Sequence, residues 1–249
     1  MEDEKKTFTG MKENHIEGRN AVLEAFRSGR TIDKLYVLDG CQDGPVRSIT
    51  REARKHDTIV NYVTKERLDQ ISETGKHQGV IAVSAAYDYA RVEDILALAE
   101  KKGEPPFILI LDGIEDPHNL GAIIRTANQA GAHGVIIPKR RAVGLTPTVA
   151  RTSAGAVNYV PVAKVTNISN TMKELKDRGM WFVCADMDGT LMYDMDLTGP
   201  IGLVIGNEGD GVSPLVKKNC DMVASIPMKG DIDSLNAVSY THLTLPTIA

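Results

Sequence analysis

Short apolar runs alternate with amphipathic stretches through the second half of the chain: FILIL at 107–111, GVIIP at 134–138, NYVPV at 158–162, WFVCA at 181–185, IGLVIG at 201–206 and MVASIP at 222–227. Runs of this length without polar alternation predict strands buried on both faces, and the helical patterns between them predict a mostly parallel sheet covered on both sides. Ligands of such sheets sit beyond the carboxyl ends of the strands, which directs attention to the loops after Leu111, Ile205 and Ile226. Earlier in the chain, Ile16, Val22, Leu23 and Phe26 have helical spacing up to Ser28-Gly29, and 34–38, 58–63 and 79–84 predict β-branched strands. Helical stretches near 46–56 and 65–75 alternate with them, so residues 15–90 predict a compact α/β unit. VEDILALAEK at 92–101 predicts a helix that Gly103 and Pro105-Pro106 close, and 91–105 is expected to link this unit to a second one at 106–237. The polar residues 1–14 are expected to form a disordered tail.

Composition narrows the class. Of 249 residues 42% are hydrophobic and 25% charged, the balance of an ordinary globular chain, which excludes wholesale disorder and collagen-like or low-complexity fibres. The apolar run at 107–111 falls far short of the roughly 20 residues that cross a bilayer, and MEDEKKTFTG has no apolar signal core. A cytoplasmic protein without a membrane partner is expected. Cys41, Cys184 and Cys220 lie far apart and read as reduced structural thiols. Net charge is −4, yet residues 119–173 carry Arg125, Lys139, Arg140, Arg141, Arg151, Lys164 and Lys173 with no Asp or Glu. A solvated face explains most charge runs, but a carboxylate-free stretch of this length favours a phosphate-rich partner, with Lys139, Arg140, Arg141 and Arg151 as its candidate contacts.

The candidate chemistry lies in the loops. Neither GxxxxGK[ST] nor a strand followed by GxGxxG occurs, so the ordinary nucleotide-binding readings lose support. After IGLVIG, however, comes Gly206-Asn-Glu208-Gly-Asp-Gly211, where glycines permit close backbone approach to a ligand around a carboxylate. After FILIL comes DGIEDPHNLG, with Asn119 at the start of a helix and Arg125 two turns on; the amide could cap the helix and face a ligand, and the guanidinium could grip phosphate. An N-cap and a surface arginine explain the same residues equally well. The third segment, IPMKGDIDSLN, ends with Ser234 and Asn236 two apart, groups that also populate ordinary turns. WFVCADMDGTL at 181–191 resembles the nucleophile motif of haloacid-dehalogenase-type phosphatases, but the 59 residues after Thr190 are too few for the rest of that domain, and an acidic turn between strands is the plain alternative. No His, Cys or acidic spacing suggests a metal.

Taken together, LDGIEDPHNLGAIIRTANQAGAHGVIIPKR, LVIGNEGDGVS and IPMKGDIDSLN resemble the three motifs of the SpoU (TrmH) branch of the SPOUT superfamily of RNA ribose 2′-O-methyltransferases. IEGRNAVLEAF and HQGVIAV in the front unit are similar to that family's L30e-like substrate-binding domain. The resemblance implies an α/β architecture with an L30e-like amino-terminal domain and a SPOUT catalytic domain closed by a trefoil knot, which ordinary connection rules would never suggest. It implies S-adenosylmethionine as cofactor, held by segments matching Gly206, Ile226 and Leu235, and a catalytic set of Asn119, Arg125, Glu208, Ser234 and Asn236. It implies a homodimer with the active site near the subunit interface, no metal, and an RNA substrate. The two-domain arrangement looks most like bacterial enzymes that methylate a guanosine ribose in 23S ribosomal RNA, with tRNA as the alternative. Arg125 is the family's proposed proton acceptor; a guanidinium with a pKa above about 12 is better suited to positioning and to clamping phosphate. The resemblance ends around Ala237, since AVSYTHLTLPTIA contains Pro246 and little helical period, and 238–249 is expected as an atypical tail. A non-catalytic RNA-binding protein on the same scaffold is the other reading of such an end.

Overall fold

A computed structural model of the protein describes residues 15–226 and residue 238; expectations that fall on 1–14, 227–237 and 239–249 lie outside the described residues. The chain divides into two compact units, up to Asp88 and from Tyr89.

In the first unit, strands β1 (His15–Glu17), β2 (Ile32–Leu38), β3 (Ile59–Val63) and β4 (Val80–Ser84) form one sheet in the order β1-β4-β2-β3. β4 runs antiparallel to both neighbours, and β2 and β3 are parallel. Helices α1 (Arg19–Arg27), α2 (Gly44–Lys55) and α3 (Lys65–Ile71) lie between the strands in sequence. Val22, Ala25 and Phe26 of α1 and Val46, Ile49 and Ala53 of α2 share a core with Leu35 and Val37 of β2. α2 starts cleanly because Asp43 accepts the Val46 amide at 3.1 Å and Pro45 follows it. Ile16, expected in a helix, lies instead in β1. Gly18, at φ 90°, turns the chain between strand and helix, a conformation that glycine adopts freely. α3 stops at Ile71 because Glu17 draws the following residues away from the helix, accepting from Ser72 Oγ at 2.7 Å and the Glu73 amide at 2.5 Å.

The second unit holds a sheet of six parallel strands. α4 (Val92–Lys102) precedes β5 (Phe107–Asp112), α5 (Pro117–Gln129), β6 (Gly134–Pro138), α6 (Pro147–Thr152), β7 (Val162–Val165), α7 (Ile168–Lys176), β8 (Trp181–Leu191), β9 (Ile201–Gly206), α8 (Pro214–Lys218) and β10 (Met222–Ser225). Their order is β10-β8-β9-β5-β6-β7. Continuous burial of Ile108, Leu109, Ile110 and Leu111, and of Leu203, Val204 and Ile205, is what a strand covered on both faces requires. Within 91–105, Ile95 of α4 enters the second core, and a Cβ on Gly134 would sit 2.6 Å from its side chain. Two expectations need correction. NYVPV is not a strand: Ala156–Asn158 forms a 3₁₀ turn, Tyr159 is 76% exposed, and pairing starts after Pro161, which has no N–H to donate. The acidic segment around Asp186 is not a turn between strands but part of β8, where residues 185–189 bulge between the pairs Val223–Cys184 and Ala224–Thr190. The Cys184 thiol of β8 interacts with the Cys220 thiol, which lies between α8 and β10; this lowers the pKa of the first and, together with burial, pushes that of the second up.

His133 closes the lower end of this sheet. Its Nδ1 accepts the Phe107 amide at 3.0 Å, so in the neutral ring the proton sits on Nε2 and faces Glu104 at 3.0 Å. Burial lowers its pKa, against the opposing pull of Glu104. A histidine kept neutral in the fold contributes stability above its unfolded pKa of about 6.5, and that contribution is lost as pH falls through the depressed folded value. The single tryptophan, Trp181, lies in this unit and reports its unfolding. The urea midpoint followed by Trp181 fluorescence is therefore expected to fall between pH 7.5 and pH 5.5, and His133→Gln to flatten that fall; an equally steep dependence in the variant would contradict the assignment.

Candidate active site

The direction of winding changes between β5 and β9. From β5 the chain proceeds through α5 to β6 and β7 on one side; from β9 it proceeds through α8 to β10 on the other. A crevice at the carboxyl ends of such a strand pair is the usual ligand site of an open parallel sheet. Asp112 and Gly206 are side by side in register there, so the two loops leave the sheet together.

Side chains lace these loops. Asn207 Nδ2 donates to the Gly113 carbonyl at 2.9 Å, and its Oδ1 accepts the Gly209 amide at 2.8 Å. Asp112 Oδ2 accepts the Ser213 amide at 2.8 Å, and Asn119 Nδ2 donates to Glu208 Oε1. The β9 loop folds back on itself through Asn207 and Gly211, paired by backbone bonds of 2.9 and 3.1 Å. Gly206 makes this possible: a Cβ there would sit 2.1 Å from the Gly211 carbonyl carbon. Asn119 reaches Glu208 and does not cap α5. Asp116 does so, accepting the His118 amide at 2.7 Å ahead of Pro117, which corrects the capping role expected of Asn119.

Gly206, Glu208 and Asn119 are thus brought together. Arg125 is not in contact with them; it stands exposed on α5, about 120° round the axis and roughly 9 Å along it from Asn119 by helix geometry. Among the described residues its guanidinium has no ion pair or side-chain hydrogen bond. Ile226 follows β10, which β8 separates from β9. Ser234, Leu235 and Asn236 lie outside the described residues. The basic residues Lys139, Arg140 and Arg141 follow β6, and their loop is fastened to the β5 loop by the Val143 amide on the Ile114 carbonyl at 3.0 Å. Lys139 has its pKa lowered by burial and then by Lys164. Lys164 itself lies over the Tyr89 ring at 4.7 Å. Arg151 is exposed on α6, which approaches α5 so closely that a Cβ on Gly121 would meet Thr152 Oγ1 at 1.8 Å.

Asn207 and Asp112 are the site residues that sequence reasoning missed. The signal was available in part: a polar side chain beside a glycine at the carboxyl end of each of two apolar runs. Asp186 is held below the ordinary carboxylate range despite the opposing effect of burial, chiefly by Lys217 Nζ at 2.7 Å and the amides of Asp188 and Met187. It is an ion-pair partner in β8. Among the described residues no group of three or more His, Cys, Asp or Glu could hold a metal ion, and no helix is long and apolar enough to cross a membrane.

A family model described as the SpoU rRNA Methylase family matches residues 106–245, and one described as RNA 2′-O ribose methyltransferase substrate binding matches residues 15–90. The chain belongs to the SpoU methylase family. The first match runs past Ala237, where the motif resemblance stops, to residue 245. YacO of Bacillus subtilis (strain 168), named for the TrmH family of tRNA/rRNA methyltransferases, is 48% identical over 90% of each chain. A Staphylococcus saprophyticus relative named for the same family is 46% identical over 91% of each. Among solved structures, the SpoU methyltransferase AviRb of Streptomyces viridochromogenes is 26% identical with a TM-score of 0.59, covering 94% of this chain and 88% of that one. AviRb in complex with the cofactor AdoMet is similar at 25% identity and the same TM-score of 0.59. This protein is accordingly an RNA methyltransferase of the SpoU (TrmH) type, with the loop constellation above at the switch point of its SpoU domain.

Replacing Asn207 by Ala leaves the Gly113 carbonyl and the Gly209 amide without partners, a loss of about 1–3 kcal/mol where water cannot substitute fully. Amide exchange in peptides spanning 206–213 is expected to accelerate at least about tenfold. Unchanged protection would show that Asn207 does not hold the loop.

Proposed function

We propose that the protein transfers the methyl group of S-adenosylmethionine to a ribose 2′-hydroxyl of RNA, with a guanosine of 23S ribosomal RNA as the target, and that it works as a cytoplasmic homodimer. The observation that carries this reading is the laced pair of loops at the β5/β9 switch point in a chain of the SpoU family. The AdoMet complex of AviRb supports the same donor here. The residues present suit that ligand: glycines let backbone approach it closely, and Asp112, Glu208 and Asp210 give the loops the negative character that a sulfonium favours. Gly206, Ile226 and Leu235 are proposed to hold the cofactor.

When bound, the cofactor supplies a methyl group already activated by its sulfonium. The chain's own task is to bring the 2′-hydroxyl into line with that methyl and to hold the sugar there. Arg125, exposed and without an intramolecular partner among the described residues, clamps the phosphate beside the target ribose through its fork of donors. Asn119 orients Glu208 at the loop, and Ser234 and Asn236 complete the proposed catalytic set. Lys139, Arg140, Arg141 and Arg151 receive the flanking phosphates. The 2′-hydroxyl distinguishes RNA from DNA, and an unpaired loop nucleotide presents it most openly.

Labelled-methyl transfer to unmodified 23S ribosomal RNA tests the reaction, and mapping of ribose methylation in cells with and without the gene tests the target. Loss of one 2′-O-methylguanosine in 23S RNA is the expected result; loss confined to tRNA would overturn the target, and no transfer to either RNA would overturn the activity. Arg125→Ala is expected to lower single-turnover methyl transfer at least about 100-fold, the low end for a positioned catalytic group. An unchanged single-turnover rate removes Arg125 from the mechanism.

A further inference from the structure

The second unit brings together two of the chain's three cysteines, and the methyl-transfer chemistry uses neither. Cys184 is fully buried in β8 and belongs to the same core as Met180, Phe182 and Val204. Cys220, half-buried after α8, packs against that core. The backbone sets them at neighbouring levels of the sheet. The Asp221 amide donates to the Phe182 carbonyl at 2.8 Å, the Phe182 amide donates to Asp221 Oδ2 at 2.8 Å, and Val223 pairs with Cys184. The Cys220 thiol donates to the Val216 carbonyl at 3.4 Å and interacts with the Cys184 thiol.

Two features separate this pair from plain core filling, the commonest use of a buried cysteine. The first is charge. Lys217, paired with Asp186 at 2.7 Å, acts on Cys184, and Lys176, paired with Asp221 at 2.6 Å, acts on Cys220. The contact between the thiols, assisted by Lys217, lowers the pKa of Cys184 against the opposing effect of burial, while the same contact and burial raise that of Cys220. Thiolate character therefore gathers on Cys184, and the thiolate is the nucleophilic form. The second feature is slack. The ladder between β8 and β10 breaks directly after the Val223–Cys184 pair and resumes at Ala224–Thr190. A bulge at that point lets two touching sulfurs close to the S–S length of about 2.05 Å without tearing a regular ladder.

We propose that Cys184 and Cys220 are a reversible modification site, which hydrogen peroxide oxidises to an intramolecular disulfide tying β8 to the turn between α8 and β10. Peroxide approaches from the side of Cys220, the more exposed of the two. The Cys184 sulfur attacks one peroxide oxygen: an S–O bond forms, the O–O bond breaks, and the departing hydroxide leaves as water with the proton lost by the Cys184 thiol. The Cys220 sulfur then attacks the sulfur of this sulfenic acid. The S–S bond forms, the S–O bond breaks, and the second hydroxide leaves as water with the Cys220 proton. Two thiols are oxidised and one peroxide is reduced to two waters. A dithiol reductant reverses the step by exchange, in keeping with a compartment that holds cysteines reduced. Cys41 lies in the first unit, where its thiol faces Asp43 at 3.7 Å, and takes no part.

The test uses the full chain, reduced and then exposed to hydrogen peroxide without denaturant. The products are alkylated with N-ethylmaleimide in guanidinium, digested without reductant and mapped by mass spectrometry. A linked pair of peptides carrying Cys184 and Cys220, lighter by two hydrogens than its reduced parts, is expected from protein that still runs as a single chain on a non-reducing gel. Cys41 is expected to remain alkylated, and dithiothreitol to separate the pair. Because the bridge closes the chain from 184 to 220, the thermal midpoint followed by Trp181 fluorescence is expected to rise by roughly 5 °C on oxidation. Cys220→Ala should give neither the linked peptides nor the rise. Cys184 left fully alkylated, converted to sulfinic acid, or joined to Cys41 or to a second copy would overturn the site. So would a bridge that leaves the midpoint in place or lowers it, or a rise that persists in Cys220→Ala.

Discussion

The close approach of two loops at the carboxyl edge of the parallel sheet is the constraint on which the site depends. β5 and β9 are neighbours in space but separated by almost a hundred residues of chain, and they part in opposite directions. Gly206 lacks the Cβ that would stop the β9 loop from folding back onto Gly211, and Asn207 and Asp112 fasten each loop to the backbone of the other. Each of these bonds between the two loops joins a side chain to main chain, or two side chains, so the loops form a shaped polar edge without covalent or metal cross-links among the described residues. Beneath them, strands buried on both faces make a platform with little freedom to deform.

Charge is distributed in keeping with this. The chain is acidic as a whole, at −4, yet the segment that runs from α5 through the loop after β6 to α6 is basic throughout. The loops that meet at the switch point carry the carboxylates instead. A cationic methyl donor and a polyanionic acceptor would therefore meet oppositely charged surroundings on adjacent stretches of one sheet edge. Arg125 lies between the two, on the helix that starts beside Glu208 and continues away from it.

Much of this was legible in the sequence, and the exceptions have identifiable physical causes. The apolar runs at 134–138 and 201–206 became strands with the same limits, because burial on both faces leaves an unambiguous pattern. Ile16 was misread because a helical spacing of four apolar residues says nothing of Gly18, whose positive φ divides strand from helix. NYVPV was misread because a β-rich composition does not reveal that Pro161 delays pairing until Val162. In the site, Gly206 and Glu208 were legible from a glycine-rich stretch after a strand, and Asn119 from its position at the start of a helix. The partnership of Asn119 with Glu208 was not, since the two are 89 positions apart and only the sheet order brings them together. Asp116 took the capping role because it directly precedes Pro117, a signal that was present but assigned to the wrong residue. The alternation of strands and helices already pointed to the loops after Leu111 and Ile205, and the motif resemblance pointed to the same loops.

Hydrogen exchange measured by mass spectrometry, with and without S-adenosylmethionine, addresses the central claim most directly. The account predicts slower exchange on adding the donor in peptides covering 112–121 and 206–213, with residues 15–88 unaffected. Protection absent from both loops, or confined to residues 15–88, would contradict it.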